Sequence, residues 1–247
     1  EPHVTTSTLR AHVASLAGRK LVTADGDEHV VRALPPVSAQ RLGEIEWQAG
    51  MRLPAELREL VLATAGLESE LMETLDFARV ERCDVPGLFG WMLNLQGDGA
   101  GNYWIVELRE RMNVLGPVWF LCHDAPVLVH QSADLATFLA DVLRWETTHD
   151  GPIADVLEHA VQRVWTQTSD VPRAELERSP DPVLRDFARG LAGEWFVADL
   201  RNARPGDGVP IGRFGPKTPL ARAGEEFVFA YAHRTRWERF RTFVTGR

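Results

Sequence analysis

The stretch Gly97-Asp98-Gly99-Ala100-Gly101-Asn102-Tyr103-Trp104-Ile105-Val106-Glu107-Leu108 decides how this chain is read. A glycine-rich turn carrying one acid runs directly into an aromatic and β-branched strand. A further strand follows as Gly116-Pro117-Val118-Trp119-Phe120-Leu121. A phosphate cradle needs its glycine loop between a strand and a helix. Here the glycines join two strands, where they suit a tight turn with an accessible backbone. The arrangement points away from a nucleotide enzyme and toward a binding module.

Around this stretch the hydrophobic pattern repeats every second residue. It predicts strands over 75–81, 89–95, 102–108, 117–122 and 126–130, with glycine or proline in several gaps. Trp104, Val106 and Leu108 share one face of the central strand; Tyr103, Ile105 and Glu107 share the other. Downstream, Ser132 is the expected N-cap of a helix with Leu135, Phe138, Leu139, Val142 and Leu143 along one stripe.

Upstream, Leu9, Val13 and Leu16 mark a short helix, and Asp25-Gly26-Asp27 a turn between two short strands. Ser38 caps a helix carrying Leu42, Ile45 and Ala49, which Gly50 stops. Pro54 opens another through Leu57, Leu60, Val61 and Thr64, with Gly66 as its C-terminal cap. Residues 1–148 therefore read as an α+β module of antiparallel strands flanked by helices.

Residues 149–247 form a C-terminal α/β extension: either a second small domain or a piece packed on the first. An amphipathic helix is expected with Ile153, Val156, Leu157, Ala160 and Val164, and a second from Pro182 through Leu184, Phe187, Ala188 and Leu191. Strands are expected at 195–200 and 226–231. The Gly/Pro/Arg-rich stretch between them, roughly 25 residues, reads as a functional or disordered loop.

With 45% apolar and 25% charged residues in 247, the composition is that of an ordinary globular chain. No apolar run approaches the roughly 20 residues that span a bilayer, and Glu1-Pro2-His3-Val4-Thr5 lacks the plan of a signal peptide. The absence of an initiator Met suggests that residues were removed before Glu1. Cys83 and Cys122 lie far apart without metal-ligand spacing, which argues against a disulfide framework and for a reducing cytoplasm. Charge is uneven. Residues 1–148 hold 21 acids against 12 Lys/Arg; residues 149–247 hold 14 acids against 15. The acidic part repels nucleic acid and attracts a basic partner.

Candidate chemistry is sparse. Gly212-Arg213-Phe214-Gly215-Pro216-Lys217-Thr218 departs from a phosphate-binding loop, because Pro216 separates glycine from lysine and Pro219 follows. His149, Asp150, Asp155 and His159 could build a metal-dependent hydrolase, but the Gly-Pro break after Asp150 disrupts helical ligand spacing. No serine sits in a Gly-x-Ser-x-Gly frame. Glu44 and Glu46 are two apart on one helix and do not face each other. The arginine–aromatic tail Arg234 to Arg241 could meet nucleic acid, against which the acidic first part argues.

Taken in order, the pieces resemble the SMI1/KNR4 family, the SUKH superfamily. Ile45-Glu46 precedes Leu53-Pro54, and a helix ends at Ala65-Gly66, where the family usually has Asn-Gly. Trp91 lies on the strand entering Gly97-Asp98-Gly99, and Asn102-Tyr103 opens the next. Gly116-Pro117-Val118 leads a strand ending in His123-Asp124, and Ser132 to Leu143 closes the module. The similarity covers residues 36–146. It implies a non-catalytic immunity protein without a cofactor, which binds a cognate bacterial toxin, or a regulatory adaptor acting through protein contacts. It also implies a partner groove flanked by the Asp98–Asn102 turn. The candidate partner-binding residues are Glu46, Trp91, Asp98, Asn102, Trp104 and Asp124.

Overall fold

A computed structural model describes residues 6–23, 25–70, 74–148, 153, 159–166, 170–212 and 218–232. It is mixed α and β, and every strand pairing is antiparallel. Helix α1 (Thr6–Leu16) leads to a hairpin of β1 (Lys20–Val22) and β2 (Glu28–Val30). Strand β3 (Arg32–Ala33) precedes α2 (Ala39–Ala49) and α3 (Ala55–Ala63), and pairs with β4 (Gly66–Glu68), which also pairs with β5 (Leu75–Asp76).

The central element is a six-stranded sheet. A sequential meander runs through β6 (Val80–Arg82), β7 (Trp91–Gly97), β8 (Tyr103–Arg109), β9 (Val114–Cys122) and β10 (Val127–Ser132). Helix α4 (Leu135–Thr148) follows, then α5 (Val161–Thr166), β11 (Val171–Pro172), α6 (Arg173–Leu176) and α7 (Pro182–Gly190). A second sheet has the order β11, β12 (Trp195–Asp199), β15 (Val228–Ala232), β14 (Leu220–Arg222). Strand β13 (Gly208–Pro210) leaves that sheet's company and pairs with β10, becoming the sixth strand of the central sheet.

Alternation along β8 sorts its side chains as the sequence predicts. Trp104, Val106 and Leu108 join the core beneath α1 to α4, while Ile105 joins a second core shared with Ala198, Val209, Phe229 and Tyr231. Both faces of the central sheet are therefore covered, one by helices and the other by the C-terminal strands. The described residues from 159 onward form an extension that packs on the first part, and β13 completes its sheet. Such burial of large apolar side chains stabilises by about 1.5–3 kcal/mol each.

A buried ion pair stitches the two parts. Glu107 on β8 and Arg222 on β14 meet fork to fork, 4% and 7% exposed at the side chain. Arg222 also donates to the Glu225 and Glu226 carbonyls, and stands 5.2–5.4 Å from the ring centres of Phe89, Phe227 and Phe229. Burial pushes the Glu107 carboxyl up, and the Arg222 fork opposes it. Tilted and edge-on contacts of Phe89 and Phe229 with Trp119 continue the aromatic layer.

Several local expectations shift. Helix α3 is capped by Thr64, not by Gly66, which belongs to β4. A Cβ on Gly66 would stand 2.1 Å from the Leu75 carbonyl oxygen, so glycine is required by the close approach of β5. Helix α4 is capped by Asp134, whose carboxylate accepts from the Thr137 N–H at 2.7 Å, while Ser132 closes β10. The strand expected over 75–81 splits into β5 and β6. The expected loop between residues 200 and 226 contains β13 and β14; strands of three residues are too short to show a period. Ser38, Gly50, Asp25-Gly26-Asp27 and the helix from Pro182 take their expected roles. Of the amphipathic helix expected from Ile153, only Ile153 and residues 159–166 are described.

Candidate functional site

The turn that opens β8 organises itself. The Asp98 Oδ1 accepts from the backbone N–H groups of Ala100 (2.8 Å) and Asn102 (3.0 Å), and Oδ2 accepts from the Asn102 amide at 2.5 Å. Partial burial would raise the Asp98 carboxyl, but these donors together hold it below the usual carboxylate range. Gly99 and Gly101 take φ of +74° and +93°, a region that favours glycine.

Asn102 carries the order to the neighbouring turn. It is buried, and its Oδ1 accepts from the His123 N–H at 2.9 Å and lies 3.1 Å from the ring Nδ1. The His123 Nε2 stands 3.2 Å from the exposed Asp124 carboxylate. A Cβ on Gly101 would sit 3.0 Å from the imidazole, so the two turns are in close contact. Asp98, Asn102, His123 and Asp124 thus form one continuous edge at the β7–β8 and β9–β10 corners.

Hollows lie on either side of this edge. Toward the C-terminal strands is a cleft of about 520 Å³ whose lining includes Arg79, Glu81, Arg82, Asp84, Tyr103 and His123. It carries both signs of charge. Arg79 stands over the Tyr103 ring at 5.7 Å and donates to Glu81, which in turn accepts from Asn94. Toward the helices is a smaller recess of about 160 Å³ bounded by Asp98, Trp104, Phe138, Trp145 and Glu146.

The structure groups some of the sequence-derived residues and separates others. Asp98, Asn102 and Asp124 share the edge, and Trp104 lines the recess beside Asp98 with its indole N–H toward Gln131 at 3.4 Å. Trp91 begins β7, while the turn follows its other end, about 20 Å away for six strand residues. There it is half-buried against the helical core. Glu46 lies at the corner between α2 and α3, accepting from the Leu53 N–H at 2.8 Å and from Arg58. Burial would raise its carboxyl, and these donors lower it on balance. Glu44 turns instead to Gln40 and Arg41.

Arg79, His123 and Trp145 were not among the sequence candidates. Arg79 and Trp145 come from elements remote from the turn in sequence, and only strand pairing and helix packing bring them near. His123 stands next to the candidate Asp124 in sequence, and its contacts with Asn102 and Asp124 make it the bridge between the two turns. His149, Asp150 and Asp155 lie outside the described residues, as do Arg213 to Lys217 and the Arg234 to Arg241 tail. Cys83 and Cys122 are buried free thiols, and burial raises Cys83. Among the described residues no helix is long and apolar enough to cross a membrane.

No protein-family model matches the chain, and searches of curated proteins and of solved structures returned no match.

Proposed function

We propose that this chain is a non-catalytic immunity protein of the SUKH kind, which binds a cognate bacterial toxin in the cytoplasm and blocks its active surface. The observation that carries the proposal is the pre-ordered edge from Asp98 to Asp124, set between two hollows. Its donors and acceptors are held before any partner arrives, so little ordering cost remains for binding. The acidic balance of residues 1–148 favours a partner with a basic surface, and the mixed charges of the 520 Å³ cleft would fix its register. The order of motifs from Ile45 to Leu143 supports the SUKH assignment.

The test is association with the toxin domain encoded by the neighbouring gene. A one-to-one complex that abolishes toxicity is expected, with association slowing as salt rises. Absence of a complex overturns the proposal; a salt-independent rate removes the electrostatic part.

A further inference from the structure

His123 stands where the two turns of the edge meet, and each of its ring nitrogens has an oxygen neighbour. Nδ1 lies 3.1 Å from the Asn102 Oδ1, and Nε2 lies 3.2 Å from the Asp124 carboxylate. The Asn102 amide cannot present its nitrogen to the ring instead. Its Nδ2 donates to the Asp98 Oδ2 at 2.5 Å, and its Oδ1 accepts from the His123 backbone N–H at 2.9 Å, which fixes the way the amide points. Both neighbours of the ring are therefore acceptors.

A neutral imidazole has one N–H and one lone pair. With the proton on Nε2, the Nδ1 lone pair faces the buried Asn102 oxygen. With the proton on Nδ1, the other lone pair faces a carboxylate. Only the doubly protonated ring offers a donor to each side. Among the described residues, the other charged groups around it are Asp98, reached through Asn102, and Arg79, Glu81, Arg82 and Asp84 in the lining of the adjoining cleft. The two arginines offset Glu81 and Asp84 in sign, which leaves Asp98 and Asp124 as the unbalanced charges. The His123 side chain is 56% exposed, so the ring can swing out to water without unfolding the corner between β9 and β10.

We propose that His123 is a proton-controlled latch. Protonated on both nitrogens, it ties the Asp98–Asn102 turn to the β9–β10 turn and makes them one rigid edge. Once a proton is lost, one ring contact sets lone pair against oxygen, the ring turns away, and Asn102 keeps only the His123 backbone N–H on that side. The latch needs no partner and so goes beyond the immunity reading. Failure to bind the toxin leaves it standing, and its own failure leaves the immunity reading standing.

The test uses the free chain, followed by NMR from about pH 8 to about pH 5, the range in which histidine gains its charge. Protection of the His123 and Asn102 backbone N–H groups against hydrogen exchange is read after correction for the intrinsic effect of pH. It is expected to rise about three- to tenfold as the ring takes up its proton, the worth of about one net hydrogen bond. The Gly26 N–H, bonded to the Thr23 carbonyl in the β1–β2 turn, should not follow. His123→Gln carries a permanent N–H donor and should remove the pH dependence. Protection that stays flat while the His123 ring signals titrate overturns the latch. The same rise in His123→Gln also overturns it, because the response then belongs to another group.

Discussion

Asp98 lies just before β8 and Glu107 near its far end, and each carboxylate is held by several donors. Glu107 is fully interior, its partner Arg222 comes from the other part of the chain, and phenylalanine rings close over the pair. Asp98 is exposed, and its partners lie within four residues of it. Burial decides which consequence follows from similar bonding. A buried pair has lost its water, so removing one member strands a charge. An exposed acid in a turn can still meet solvent or a partner, and its bonds serve to hold a shape.

Arg222→Met breaks the comparison most sharply. It leaves Glu107 buried without a counter-charge and should cost about 3–5 kcal/mol in urea unfolding. Adding Glu107→Leu should restore much of the loss, since an apolar pair of similar volume needs no counter-charge. A double variant no better than Arg222→Met would show that the guanidinium's carbonyl and ring contacts, rather than the ion pair, join the two parts.

Gly208→Ala tests the same joint at the sheet edge. The added Cβ would meet the Leu128 carbonyl oxygen at 2.3 Å, a backbone atom that cannot step aside. Displacing β13 should cost about 1–3 kcal/mol, in line with overpacking elsewhere. Unchanged stability would mean that β13 contributes little to closing the sheet.

A pH series sharpens the account of the buried side. His130 on β10 is buried edge-on against Trp119, 5.2 Å between ring centres, and desolvation lowers its imidazole below the usual 6.5. The unfolded chain therefore takes up the proton first. Stability from this group is present above pH 6.5 and falls as pH drops below it toward the depressed folded value. The loss is at most about 1.4 kcal/mol per pH unit. Denaturation midpoints measured from pH 7.5 to 5 should show the decline, and His130→Gln should flatten it over that range.

The smallest effect belongs to the exposed turn. Asp98→Ala removes three accepted hydrogen bonds and should lower stability by about 1 kcal/mol, the solvent-discounted value for an exposed turn. Asp98→Asn keeps a carbonyl oxygen for the backbone donors and should cost less, while still weakening attachment of a basic partner. If both substitutions cost the same stability and leave partner affinity intact, Asp98 shapes its turn and does nothing else.

Much of the meander was legible because β8, β9 and β10 are long enough to show alternation, and because Gly97 to Gly101 punctuates them. Caps were less secure. Ser132 and Asp134 are both good N-cap types two positions apart, and only the observed bond to the Thr137 N–H decides between them. Of the candidate site, the Asp98–Asn102 pair was readable as a local turn, since its partners are near in sequence. Arg79 and Trp145 were not, because no sequence spacing relates them to the turn.

By itself the sequence determined the α+β character, the two faces of β8, and the acidic balance of residues 1–148. Each follows from local periodicity or from a count. Only the tertiary structure decided that β13 crosses to the first part's sheet, that Arg222 neutralises Glu107 across 115 positions, and that the turn stands between two hollows. Those outcomes depend on which distant surfaces exclude water together. That choice is made by the packing of the whole chain, not by any local pattern within it.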